Sequence, residues 1–347
     1  MAERIRISDK VVRFPRATIS PDFDEKRIIA SSPWEFVSLW LRQQGKEDAC
    51  IYWEQAKAFF DSARDLPVHS APLPLYYAFL NAAKALLQSN NVPYTEYHGV
   101  TGLDLRTGVR PRIRIDNEGI KIRNGGFVPA LIQHLGEIEA QKQYTLGDIL
   151  SNLPFIHRAV AVSYSRGELF LSIRNPRYVH QNGQAWFRAD LPDEHTHGQT
   201  LGTIPNTFQT SAYQGTTRLE SVAKFAWSGA RRPTNADIDA LKNFHRTIRL
   251  DVHYITSDKP LWYLKRNLAA YAMIRRYNIT LMFLSMHRLS EIARYKPKEL
   301  IHLLRGNRNW IIYEFVKVAR NQFLDEIAAE ITGYEISPAG VRHGMFS

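Results

Sequence analysis

The run Leu75-Tyr76-Tyr77-Ala78-Phe79-Leu80-Asn81-Ala82-Ala83-Lys84-Ala85-Leu86-Leu87 is apolar on nearly every face of a helix. Such a helix cannot lie on a surface, because it needs apolar neighbours on most sides. Pro72 and Pro74 punctuate its entry, and the pattern predicts a helix over 75–89. A second run, Ile279 to Met286, is broken only by Thr280 and Ser285. It is far shorter than the roughly 20 residues that span a bilayer, so it too must find cover within the protein. The economical solution packs helices from both ends of the chain together.

Local signals supply the other helices. Ser32-Pro33 is a helix entry, since Ser caps and Pro fits the first turn. It opens a helix to Gln43 that stops at Gly45, and a second runs from Glu47 to Arg64 before Pro67. Helix returns after Asp258-Lys259-Pro260. Leu261 to Tyr295 reads as one long element, Pro297 restarts a short helix to Leu304, Gly306-Asn307 breaks it, and Asn309 to Ile331 forms the last.

The hydrophobic period changes after Arg110. Arg112-Ile113-Arg114-Ile115 and Ile120-Lys121-Ile122-Arg123 both alternate strictly around the turn sequence Asp116-Asn117-Glu118-Gly119, which predicts a β-hairpin. A second hairpin fits Ala159 to Ile173, turning at Ser165-Arg166-Gly167-Glu168, and Thr247 to Tyr254 alternates again. Short helices fit Val128–Glu139, Leu146–Leu150 and Asn235–Leu241, the last capped by Thr234, while 191–229 reads as loops or weak strands. The expected fold class is α+β, a helical bundle built from the N- and C-terminal segments with a strand-rich insertion. Its parts are an N-terminal arm over 1–32, a helical segment over 33–110, the strand-rich inserted region over 111–257, a C-terminal helical segment over 258–333 and a tail over 334–347.

Among 347 residues, 44% hydrophobic and 23% charged, there is enough apolar material for a core. The net charge of +11 favours anionic partners. Cys50 is the sole cysteine, which excludes an intramolecular disulfide and a Cys-x-x-Cys redox site. Ala2 to Asp9 is polar, with no apolar signal core, so a cytoplasmic location without membrane contact is expected.

Several blocks, in order, are similar to the YaaC-like family of bacterial proteins. They are Pro74 to Leu87 followed by His98-Gly99-Val100, then Ile120-Lys121-Ile122-Arg123-Asn124-Gly125, then Tyr144-Thr145-Leu146-Gly147-Asp148-Ile149-Leu150-Ser151-Asn152-Leu153-Pro154, then Leu289-Ser290-Glu291-Ile292-Ala293-Arg294-Tyr295. The resemblance covers about Pro33 to Ile331 and by itself implies no activity. A looser one, over Tyr76 to Leu87 and His98-Gly99, is to the HEPN superfamily of small helical bundles. It implies nucleotide or RNA binding, dimers, and in some members ribonuclease action in bacterial defence.

HEPN ribonucleases carry Arg, four to six residues, then His on a helix. Arg64/His69, Arg174/His180, Arg188/His195 and Arg246/His253 fit this spacing, but roughly three such pairs arise by chance in a chain with this many Arg and His. In the last helical segment Arg294 and His302 have seven residues between them, outside the pattern. His195-Thr196-His197 beside Asp190, Asp193 and Glu194 offers ligand types, yet a solvated loop explains it, and no metal or other cofactor is expected. If a catalytic site exists, it combines His98 as a proton carrier with Lys84 and Arg294 as phosphate-neutralising cations. Against this, His98 can serve the turn at Gly99 and Lys84 can snorkel to solvent. Arg112 and Arg114 share one strand face and Lys121 and Arg123 share one face of its partner, a candidate nucleic-acid-binding surface opposite Ile113, Ile115, Ile120 and Ile122. The leading expectation is a protein that interacts with nucleic acid or nucleotide through this basic surface, in bacterial defence or stress response. A metal-independent ribonuclease and a protein–protein adaptor, with a homodimer or another protein as partner, are the alternatives. No Walker loop, Gly-x-Ser-x-Gly elbow or His-Glu-x-x-His is present.

Overall fold

The structure is a computed structural model and describes residues 2–24, 28–257 and 261–338. Asp258-Lys259-Pro260, after which helix was expected to return, and the end of the expected tail, 339–347, lie outside the described residues. The chain opens with short strands, β1 (Glu3–Arg4), β2 (Arg6–Ile7), β3 (Lys10–Val11) and β4 (Ile28–Ala30). Three helices follow: α1 (Pro33–Gln43), α2 (Glu47–Ser62) and α3 (Pro72–Ser89). Pro33 starts α1 behind an extended Ser32, as a proline in the first turn allows. Most side chains of α3 are buried.

A three-stranded antiparallel sheet comes next, β5 (Val100–Asp104), β6 (Glu118–Ile122) and β7 (Gln143–Thr145) in the order β5-β6-β7. It differs from the expected hairpin. Ile120 pairs with Gly102 on one side and Tyr144 on the other, while 112–115 forms no strand. The cause is Asn117. Its Oδ1 accepts from the Arg114 amide at 2.7 Å and its Nδ2 donates to the Arg112 carbonyl at 2.9 Å. The backbone groups that a hairpin would need are held locally instead. Helices α4 (Phe127–His134), α5 (Leu146–Ser151) and α6 (His157–Tyr164) follow.

The largest element is an eight-stranded sheet. It contains β8 (Phe170–Gln181), β9 (Gln184–Leu191), β10 (Phe208–Tyr213), β11 (Thr216–Ser221), β12 (Phe225–Ala226), β13 (Val252–Ile255) and β14 (Leu261–Lys265). Helix α7 (Gly198–Leu201) precedes β10 and α8 (Asn235–Ile248) precedes β13. The order is β10-β11-β9-β8-β14-β13, with β1 on β8 and β12 on β9, and every pairing is antiparallel. Asn182-Gly183 joins β8 to β9 with both residues at positive φ, 51° and 76°, the turn geometry that suits a twisted hairpin. Thr234 caps α8 through a capping box with Asp237.

The chain then forms α9 (Asn278–Tyr295), α10 (Pro297–Leu304), α11 (Asn309–Thr332) and β15 (Ile336–Pro338), which pairs in parallel with β4. Phe79 of α3 stacks on Phe323 of α11 with ring centroids 3.8 Å apart, and Tyr76 meets Phe283 of α9 edge-on at 5.6 Å. These contacts do not make a helical bundle with an insertion, and that expectation is corrected. The molecule is mixed, 43% helical and 21% strand, and the large antiparallel sheet is one of its main layers. Two cores exist. One joins the helices to Ile120, Ile122 and Tyr144 of the small sheet and to Phe170 of the large one. The other lies on the large sheet and is closed by Leu241, Phe244 and Ile248 of α8 and by Ile5, Phe14 and Phe23 near the chain start. The expected hairpin over 159–173 and strand over 247–254 are partly helical, in α6 and the end of α8. The expected helix over 261–295 begins as β14, whose Leu261-Trp262-Tyr263-Leu264 is apolar enough for either state. Among the described residues no helix is long and apolar enough to cross a membrane.

Candidate functional site

The segment between β5 and β6 and the turn between α10 and α11 face each other across a cleft of about 890 Å³. Its floor includes Ile113, Ile115, Leu303 and Ile312, and its rim carries Arg106, Arg112, Arg114, Arg305 and Arg308, with His302 beside them. Among the described lining residues the one carboxylate is Glu299, and it is engaged by Arg106 at 3.0 Å. Arg106 also grips Asp104, and those hydrogen bonds hold the Asp104 carboxyl well below the usual range.

Parts of the rim are tied to the structure around them. Asn117, 5% exposed, fixes the loop that presents Arg112 and Arg114, and buried Ile115 anchors its end. Arg308 pairs with Asp116 and lies 3.8 Å over the Tyr164 ring. Asp116 in turn accepts from the Tyr164 hydroxyl, whose pKa burial pushes up to about 12. Burial lowers the Arg308 pKa, and the nearby charge of Arg114 lowers it further. Arg112, Arg114 and Arg305 form no ion pair among the described residues. Three guanidinium groups therefore share one concave surface with no counter-charge of their own, a geometry suited to phosphate or carboxylate oxygens.

The cleft unites residues of the sequence reading in part. Arg112 and Arg114 line it. Lys121 is exposed on β6, and Arg123 lines a separate hollow of about 600 Å³ beside His98, Gly99 and Gly126. Arg305 and Arg308 were missed as site residues. Their signal was present in Leu304-Arg305-Gly306-Asn307-Arg308, two cations flanking a turn between helices.

At the second hollow, His98 Nδ1 lies 2.6 Å from the hydroxyl of Tyr76. Burial lowers the His98 pKa, the charge of Lys84 adds to that, and Glu291 opposes it. Lys84 itself is tied to Glu96 at 2.9 Å. His287 stands behind, its ring 6.0 Å from that of His98, and burial drives its pKa down to about 4. Arg294 is exposed, with its guanidinium 4.9 Å over the ring of Tyr295, and forms no hydrogen bond or ion pair with His98 or Lys84. Among the described residues no group of three or more His, Cys, Asp or Glu could hold a metal ion.

Arg288 of α9 bonds to Glu118 of β6 and, at 2.9 Å, to Glu291. Gly102 of β5 makes room for it, since a Cβ there would run into the guanidinium. The sequence profile of the YaaC-like Protein family matches residues 25–331. No match is found among curated proteins or among solved structures.

Proposed function

The chain belongs to the YaaC-like protein family, and we propose that it is a binding protein for phosphate-bearing ligands, nucleic acid or nucleotide, held in the cleft between the 106–115 loop and the α10–α11 turn. The observation that carries this reading is the convergence of Arg112, Arg114 and Arg305 without carboxylate partners, beside Arg106 and Arg308. Like charges repel, and burial near Arg308 strengthens that repulsion. An anion with several oxygens relieves it. The net charge of +11 acts in the same direction by drawing anions toward the protein. The aliphatic floor adds a surface for an apolar or aromatic portion of the same ligand.

The test is calorimetric titration of the full chain with sodium tripolyphosphate at low salt. Saturable binding is expected, and a variant with Arg112, Arg114 and Arg305 all changed to Gln should lose it while keeping the native melting temperature. Equal binding by that variant would overturn the proposal.

A further inference from the structure

Helix α11 begins at Asn309, directly after cleft residue Arg308, and Ile312 in its first turn still lines the cleft. Its outer face then carries Trp310, Tyr313, Lys317 and Asn321, all exposed. The spacing of three, four and four residues puts them in one stripe along the helix. Trp310 is 43% exposed and Tyr313 42%. Two large rings thus stand open on adjacent positions of one stripe, within reach of one ligand. Trp310 is also posed. Its Nε1 donates to Glu314 Oε1, one turn on, at 2.9 Å, which restrains the indole and leaves a face in solvent. With a rise of about 1.5 Å per residue, Trp310 to Lys317 covers about 10 Å, room for one or two nucleotides of a strand that leaves the cleft around the N-terminal end of α11, since Ile312 faces the other side of the helix.

We propose that the ligand of the cleft is a single-stranded nucleic acid, whose backbone sits on Arg112, Arg114 and Arg305 and whose following bases stack on Trp310 and Tyr313. The proposal rests on the anion-binding reading of the cleft and adds the class of ligand. Cations followed by open rings and a further cation, Lys317, are the pattern that backbone-tracking and base-stacking need. A duplex keeps its base faces enclosed and offers nothing to the rings. A free nucleotide or inorganic polyphosphate fills the cleft without using them.

The experiment measures fluorescence anisotropy of labelled dT15, rU15 and a 15-base-pair duplex with the full chain, alongside the tripolyphosphate titration. Tighter binding of at least one single strand than of the duplex is expected, and the stronger of dT15 and rU15 assigns DNA or RNA. Trp310→Ala with Tyr313→Ala should weaken single-strand binding by at least about tenfold. The same variant should leave tripolyphosphate binding unchanged, and Trp310→Phe should retain most of the affinity. Unchanged single-strand binding in the double variant would overturn the inference, as would a preference for duplex. Tripolyphosphate binding without any oligonucleotide binding would overturn it while the anion-binding reading stands. Failure to bind either ligand would end both.

Discussion

Arg288 reaches from α9 to Glu118 on β6, with Nε 3.1 Å from Oε2 and a second, shorter bond from Nη2, and both side chains are buried. The pair ties a long helix to the strand that follows the Arg112–Arg114 loop. A buried pair broken at one partner leaves an uncompensated charge. Glu118→Gln should therefore cost about 3 kcal/mol, read from urea unfolding. A loss under about 1 kcal/mol would mean that Glu291, the other partner of Arg288, is sufficient by itself.

Asn117 is the next point of leverage. Asn117→Ala removes its bonds to Arg114 and Arg112 and should cost about 1–3 kcal/mol. Because those bonds hold the loop that lines the cleft, tripolyphosphate affinity should fall as well. Native affinity in a destabilised variant would show that the loop keeps its shape without Asn117.

Salt offers a count of phosphate contacts. For a single strand, the slope of log affinity against log salt is about −0.7 per neutralised phosphate. Changing Arg112, Arg114 and Arg305 to Gln should flatten that slope by about 2 if each meets one phosphate. Changing Lys121 and Arg123, which lie outside the cleft lining, should leave it within error of native.

Glu326 makes stability depend on pH. It is buried on α11, bonded by Gln322 at 2.7 Å and Asn278 at 3.1 Å, and burial pushes its pKa from 4.5 up to about 7. A raised folded pKa means that the native state binds the proton more tightly than the unfolded chain. The associated stability is fully present below pH 4.5 and is lost as pH rises through about 7. Glu326→Gln removes this dependence. The stability of the variant relative to the native protein should grow between pH 4.5 and 7, by on the order of 3 kcal/mol, and then level off. A constant difference from pH 4 to pH 9 would contradict the buried carboxyl.

What was legible in the sequence was local. Ser32-Pro33 starts α1, Thr234 caps α8, Pro297 opens α10, and each depends on groups within a few residues. What was not legible depended on partners far along the chain. Alternation at 112–115 pointed to a strand, but one side chain, Asn117, captured its backbone. Leu261–Leu264 became a strand because β8 was there to pair with it, with Leu264 opposite Leu171. The bundle expectation failed for the same reason, since the apolar faces of the helices are shared with both sheets. Half of the cleft was visible as Arg112 and Arg114. The other half, Arg305 and Arg308, arrives from the opposite end of the chain and is joined to them only by the fold.

Residues 16–30 are fastened to residues 325–338. Backbone amides of Thr18 and Ile19 donate to Glu330, 312 and 311 residues away, Arg16 pairs with Asp325 at 2.8 Å, and β4 lies beside β15. During synthesis residues 16–19 cannot acquire these partners until α11 has been made. The apolar side chains of Ile5, Phe14 and Phe23 emerge early, yet the sheet they cover forms only after β13 and β14 exist. Closure of this part of the fold therefore waits on segments made much later in the chain, and until then those apolar side chains lack their cover.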